Sequence, residues 1–302
     1  MKGDIEIISS TGKGMCGGTD AYIDWSLPKV ISSEDMIFFK AESALNAPDR
    51  AERNIEPLGF VSAFAAPCGG GTFLFHEYGR GFSRYDERIF SLSLVKENVF
   101  PALCALVKRL DLAKDNGFHS KTHGLPENFG GRIDIKYSSG EKISISNNQS
   151  PVLSHKAGFE ISQFFIGAMK GEKVALPDAK DLAVIRFDEE RSDGGFTRAA
   201  LTLNADGTGT NKRSSRYDAP TVFKSERSVS AETVRNIIKT IETAGLFAWE
   251  HLPEKSYSSN KNKTLTFVFK DGQELTVRAD RAVPERIGGA FFDIELELAT
   301  KN

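Results

Sequence analysis

Cysteine is scarce in this chain. Its three residues, Cys16, Cys68 and Cys104, are too few and too scattered to staple a small fold, and Cys104 falls on an apolar helical stripe. No apolar run approaches the roughly 18 residues that a membrane-spanning helix needs. The opening stretch MKGDIEIISS sets Asp4 and Glu6 where a secretory leader needs an unbroken apolar core. Neither sign of charge dominates: 39 Lys and Arg face 41 Asp and Glu, a net charge of −2. Bulk charge therefore calls for neither nucleic acid nor a membrane surface as a partner. These absences lead to the expectation of a reduced, cytoplasmic protein. Signatures of catalysis are missing too, with no GxSxG elbow, no HExxH and no Rossmann fingerprint.

What is present is a globular composition, 40% hydrophobic and 26% charged, over 302 residues, enough for two domains of ordinary size. One pattern occurs twice. In residues 131–147 Ile133, Ile135, Tyr137, Ile143 and Ile145 alternate with polar residues; 132 places later Leu265, Phe267, Phe269, Leu275 and Val277 do the same. Period-two alternation places each apolar set on one face of a sheet. All five positions in each copy are odd, so a two-residue turn would split them across both faces. A three-residue loop with glycine in the left-handed position keeps the phase. The loops are then Ser138-Ser139-Gly140 and Lys270-Asp271-Gly272, with Ile135 facing Ile143 and Phe267 facing Leu275.

The match extends upstream. Phe100, Leu103, Cys104, Val107, Leu110 and Leu112 keep the i, i+3, i+4, i+7 rhythm of an amphipathic helix, as do Val234, Ile237, Ile238, Ile241, Ala244 and Leu246. The second of these helices has Ser230 as its N-cap and Gly245 as its stop. Offsets between the two halves drift only from 132 to 137 in the stretches that align most directly, while the first half carries a longer connection at residues 44–58. The expected fold is α+β: a tandem duplication of an antiparallel sheet-plus-helices unit, βββ(β)-α-ββ-α, its copies packed with pseudo-two-fold character. The boundaries are 1–30, an N-terminal extension or extra strand; 31–172, the first repeat; 173–180, a linker; and 181–302, the second repeat. The second unit, with its strand, DGTG turn, strand, helix ending AGLF and hairpin, resembles bacterial α+β modules, a resemblance that supplies no catalytic residue.

Candidate chemistry is sparse. Gly12–Thr19 is glycine-rich and holds Lys13, but it lacks the GxxxxGK[ST] spacing of a phosphate loop and reads as an arm or hairpin loop. Cys68, in APCGGG, would be an activated thiolate if a cation or base stood near; otherwise it is an incidental thiol at a turn. His119 and His123 have HxxxH spacing, which can hold a metal on a helix, but Gly117, Gly124 and Pro126 bound the stretch and predict a loop. Basic residues gather at Lys212, Arg213, Arg216, Lys224 and Arg227, joined by Lys261 and Lys263. Tyr217 could stack on a base, yet interleaved acids make this a solvated face. Glu189 and Glu190 are adjacent on a strand, hence on opposite faces, and make a poor acid–base couple. Phenylalanine numbers 22, and Phe73, Phe75, Phe159 and Phe165 read as core, with a ligand-cavity lining second.

The leading expectation is a non-enzymatic module that binds a protein or small ligand through a sheet face or inter-repeat groove, with no cofactor. The alternative is an enzyme with a single site on the first repeat, a Cys- or His-based hydrolase or a metal-dependent one. It would use Cys68, His119 or His123, because the first half holds all three cysteines and four of the five histidines.

Overall fold

The computed structural model describes residues 5–10, 18–46, 59–79, 88–125, 130–216, 221–254 and 262–300. Gly12–Gly17 with Cys16, most of the 44–58 connection, Tyr217 and Lys261 lie outside the described residues. The chain is mixed α/β, with two antiparallel-rich sheets and five α-helices among the described residues. It divides into two compact units, Met1–Val174 and Ala175–Asn302. No described helix is long and apolar enough to cross a membrane.

In the first unit the strands are β1 (Ile5–Ser10), β2 (Thr19–Asp24), β3 (Met36–Ala44), β4 (Phe60–Cys68), β5 (Gly71–Gly79), β6 (Arg88–Val95), β7 (Phe118–Thr122), β8 (Gly131–Tyr137) and β9 (Lys142–Asn147). Helix α1 (Phe100–Arg109) precedes β7, and α2 (His155–Ala168) follows β9. The sheet order is β1-β2-β7-β9-β8-β3-β4-β5-β6, antiparallel except where β7 runs parallel to β9. Helices cover one face. There Phe39, Ala41, Ala63, Ala65, Leu74, Ile133 and Ile135 form one buried cluster with Leu103 and Val107 of α1 and Ile161 and Phe165 of α2. Phe73 and Phe75, one residue out of phase, are fully buried on the opposite face.

In the second unit β10 (Leu182–Glu190), β11 (Phe196–Leu203), β12 (Gly209–Arg216) and β13 (Phe223–Val229) lead to α3 (Ala231–Ala244). The hairpin of β14 (Lys263–Phe269) and β15 (Glu274–Arg278) follows, then α4 (Glu285–Gly288) and α5 (Ala290–Glu295). The order is β13-β12-β11-β10-β14-β15. Strand for strand it has the connectivity of β6-β5-β4-β3-β8-β9. Ile185, Phe187, Leu201, Leu265 and Phe267 are buried, as are Val234, Ile237 and Ile241 on α3 and Phe291 and Ile294 on α5. Helix α3 starts where Ser230 Oγ accepts from Thr233 N–H at 3.2 Å and stops at Gly245, whose φ is 60°.

Both three-residue hairpins have the register that sequence phase requires. Ile135 pairs with Ile143 and Phe267 with Leu275. Tyr137 N–H donates to Glu141 O at 3.0 Å and Phe269 N–H to Gln273 O at 2.9 Å, closing loops in which Gly140 and Gly272 have φ of 88° and 86°. A Cβ at either glycine would meet nothing within 4 Å, so only backbone conformation penalises a side chain there. Gly140→Ala and Gly272→Ala are each expected to cost about 1 kcal/mol of stability. Urea denaturation checks this, and an unchanged midpoint would contradict the turn assignment.

Two stretches differ from their reading in sequence, Phe118–Thr122 and Cys68. Phe118–Thr122, expected as a loop, is β7, an inner strand between β2 and β9. Its FHSKT sequence has no apolar alternation, because its partners on either side, not a core, hold it in place. Within residues 1–30, β1 and β2 are strands of the first sheet, and Thr19–Ile23 pair with Phe118–Thr122. Finally, Cys68 closes β4 instead of lying in a turn. It pairs with Gly71 across a two-residue turn of Gly69 and Gly70, whose positive φ angles suit a tight hairpin.

Candidate functional site

Alternation along β10–β13 gives the second sheet two unlike faces. Odd-numbered Ile185, Phe187, Ala199 and Leu201 face the helices; even-numbered residues form the open face. Cross-strand pairing arranges those even positions as a lattice. One row runs Arg186, Ala200, Lys212, Glu226; the next runs Asp188, Arg198, Ser214, Lys224. Each row thus has a small residue flanked on both neighbouring strands by a long cation. Ala200 sits between Arg186 and Lys212, and Ser214 between Arg198 and Lys224. Short side chains inside a ring of long ones leave a concavity, and a hollow of about 560 Å³ opens here.

Four cations therefore surround the hollow on the open face, against the two carboxylates Asp188 and Glu226. Arg213 also borders it, but alternation points its side chain to the other face. Carboxylates at or beyond the rim occupy three of the four cations. Arg186 pairs with Glu274 at 3.0 Å, Arg198 with Asp188 at 3.5 Å and Glu190 at 3.1 Å, and Lys212 with Glu226 at 3.7 Å. Among the described residues, no carboxylate pairs with Lys224. All these pairs are solvent-exposed and worth at most about 1 kcal/mol each, so an arriving anion displaces them at small cost. Phe196, in the following row, lies 4.9 Å from the Arg198 guanidinium and 5.4 Å from that of Arg216, which holds both over one ring.

The residues singled out for catalysis are not brought together. Cys68 is 3% exposed at the end of β4. Four strand spacings, about 19 Å, separate β4 from β7 and its histidine. Cys104 is buried on α1, where desolvation pushes its thiol above the ordinary range. His119 lies in a transverse row with Tyr22 on β2 and Ser146 on β9. Its ring stacks on Tyr22 at 4.9 Å, and its Nδ1 is 2.8 Å from Ser146 Oγ. Burial, then the Arg132 charge, pulls His119 below the usual histidine range, so the ring is neutral at pH 7. His123 instead bonds Asp20 Oδ2 at 2.7 Å. With separate partners the two imidazoles share no ligand position, and among the described residues no group of three His, Cys, Asp or Glu side chains could hold a metal ion. Activation of Ser146 would also need a third group orienting His119. Asp24 and Asp134 act on that ring only through their charge.

The basic stretch around Lys212 and Lys224 was legible in sequence as a solvated face, but Arg186, Arg198 and the small residues Ala200 and Ser214 were not linked to it. A signal for them existed: charged residues recur on the same even phase in four successive strands. Lys263 belongs elsewhere. It shares the phase of buried Leu265 and Phe267, and its ammonium bonds Glu295 at 2.7 Å beneath α5. Desolvation there lowers its proton affinity, but the Glu295 and Glu189 carboxylates outweigh it and hold the ammonium above the usual lysine range. Glu189 takes Lys263 while Glu190 takes Arg198, so these adjacent acids do work apart. No protein-family model matches the chain, and no curated protein matches it in sequence.

Proposed function

We propose that the chain is a non-enzymatic binding module that takes up a small anionic ligand on the open face of its second sheet. One observation carries this reading: a hollow of about 560 Å³ floored by Ala200 and Ser214 and walled by four long cations, one of which, Lys224, pairs with no carboxylate among the described residues. That volume is within the range of small-molecule pockets, roughly 300–1,000 Å³. The hydroxyl of Ser214 adds a donor at the floor.

We also read the two units as copies of one ancestral fold. Shared strand connectivity, the matched three-residue hairpins and the near-constant sequence offset support this. Under duplication the copies diverged on the face away from the helices. In the first unit that face carries Phe64, Phe73 and Phe75, all buried; in the second it carries exposed Arg and Lys. Loss of the aromatic residues from one copy is what leaves a polar, accessible sheet face for a ligand.

The test is titration calorimetry of the full chain with inorganic phosphate at low salt. Binding is expected, weakening as ionic strength rises. Lys224→Glu should reduce affinity about tenfold or more, the loss of one charge-assisted hydrogen bond and its replacement by repulsion. Equal binding by the wild type and Lys224→Glu, or no binding by either, overturns the proposal.

A further inference from the structure

The lattice of the open face goes beyond a general preference for anions. The basic residues do not form one cluster. Arg186 and Lys212 stand on either side of Ala200, and Arg198 and Lys224 on either side of Ser214. Partners within a row lie on strands two apart, about 10 Å between backbones. That distance suits two long side chains converging on one anionic group held above the small residue between them. Ala200 and Ser214 are diagonal neighbours on adjacent strands, 200 pairing with 212 and 214 with 198. Such a diagonal spans roughly 7–8 Å.

We infer that the hollow holds a small molecule bearing two anionic groups about 7–8 Å apart, one over Ala200 between Arg186 and Lys212, the other over Ser214 between Arg198 and Lys224. This rests on the anion-binding reading above. The two clamps differ in strength. Ser214 brings a hydroxyl donor, and among the described residues only Arg198 of its clamp must release carboxylates, Asp188 and Glu190, whereas both Arg186 and Lys212 must release theirs, Glu274 and Glu226. A single anion therefore occupies the Ser214 clamp first. Once it is held there, the second group of the same molecule reaches the weaker clamp at high effective concentration. Neither Asp188 nor Glu226 is buried, so both can turn toward solvent as the ligand enters.

Linear alkane bisphosphonates of graded chain length, titrated beside inorganic phosphate, provide the test on the full chain. Affinity should pass through a maximum at the member whose phosphonates span about 7–8 Å and exceed that of phosphate more than tenfold there, because a linker that matches the span gives the greatest gain. Lys212→Ala, at an exposed position where the fold is not at stake, should flatten that maximum while weakening phosphate less than Lys224→Ala does. Lys224→Ala should weaken phosphate and bisphosphonates alike. Affinity that only climbs with chain length or total charge, or a maximum that survives Lys212→Ala, would overturn the two-clamp inference while leaving anion binding intact. Failure of phosphate and every bisphosphonate to bind would remove both.

Discussion

Trp249→Ala is expected to destabilise the second unit by about 3–5 kcal/mol, the largest single effect among the substitutions considered. The indole is 2% exposed in the short 3-10 stretch Leu246–His251 that follows α3. Its Nε1–H donates to Ala244 O at 3.0 Å, a carbonyl at the end of α3 that the helix itself leaves without an internal donor. Truncation thus removes a large buried ring, opens a cavity and strips a buried acceptor of its partner. Trp249→Phe separates the two contributions. It keeps most of the ring but leaves the carbonyl unpaired, and should cost about 1–3 kcal/mol. Urea titration followed by circular dichroism measures both variants. A Trp249→Ala loss below about 1 kcal/mol would show that the side chain is not part of a packed core.

Acidification gives the second large effect. His76 sits on β5, 2% exposed, with Nε2 2.9 Å from Ser162 Oγ on α2 and its ring stacked on Tyr78 and Phe165. Burial pulls its pKa down to about 4. The unfolded chain, with an ordinary histidine, takes up a proton near pH 6.5, while the folded chain resists until about pH 4. Protons therefore favour the unfolded state throughout that window. The stability associated with neutral His76 is complete above about pH 6.5 and is lost as pH falls toward 4, by about 3 kcal/mol at 1.36 kcal/mol per unit. Depressed carboxylates such as Glu141, held low first by the Ser32 backbone N–H, lose stability in the same direction at lower pH. The comparison with His76→Phe isolates the histidine. The variant's denaturation midpoint should fall less steeply than the wild type's between about pH 7 and pH 4, and parallel slopes would refute the assignment.

Sequence made the hairpins legible for a physical reason. Period-two alternation and a glycine of fixed phase leave a single register, so Ile135 against Ile143 follows from counting. The caps of α3 were equally local, since Ser230 and Gly245 act on their own helix. Strand β7 was not, because its hydrogen bonds come from β2 and β9 and its side chains carry no periodic signal. The basic hollow on the open face of the second sheet lies between these cases. Each of Arg186, Arg198, Lys212 and Lys224 is visible as a charge, but their convergence needs the order β10-β11-β12-β13 together with the pairing register. Burial of Cys68 was hidden for a similar reason. A thiol beside three glycines reads as exposed until the two-residue turn is recognised and the cysteine becomes the last residue of a central strand.

The place of β2 in the first sheet governs the order of assembly. Its partner across the ladder is β7, and Thr19 pairs with Thr122, 103 residues away. Loop closure over such a span is slow. A nascent chain emerging from the ribosome must carry a bare β1–β2 ribbon through the synthesis of five further elements before its docking edge exists. Until then the ribbon's unpaired amides are open to any strand that passes, so the interval before residue 122 appears is when this protein is most exposed to mispairing with its neighbours.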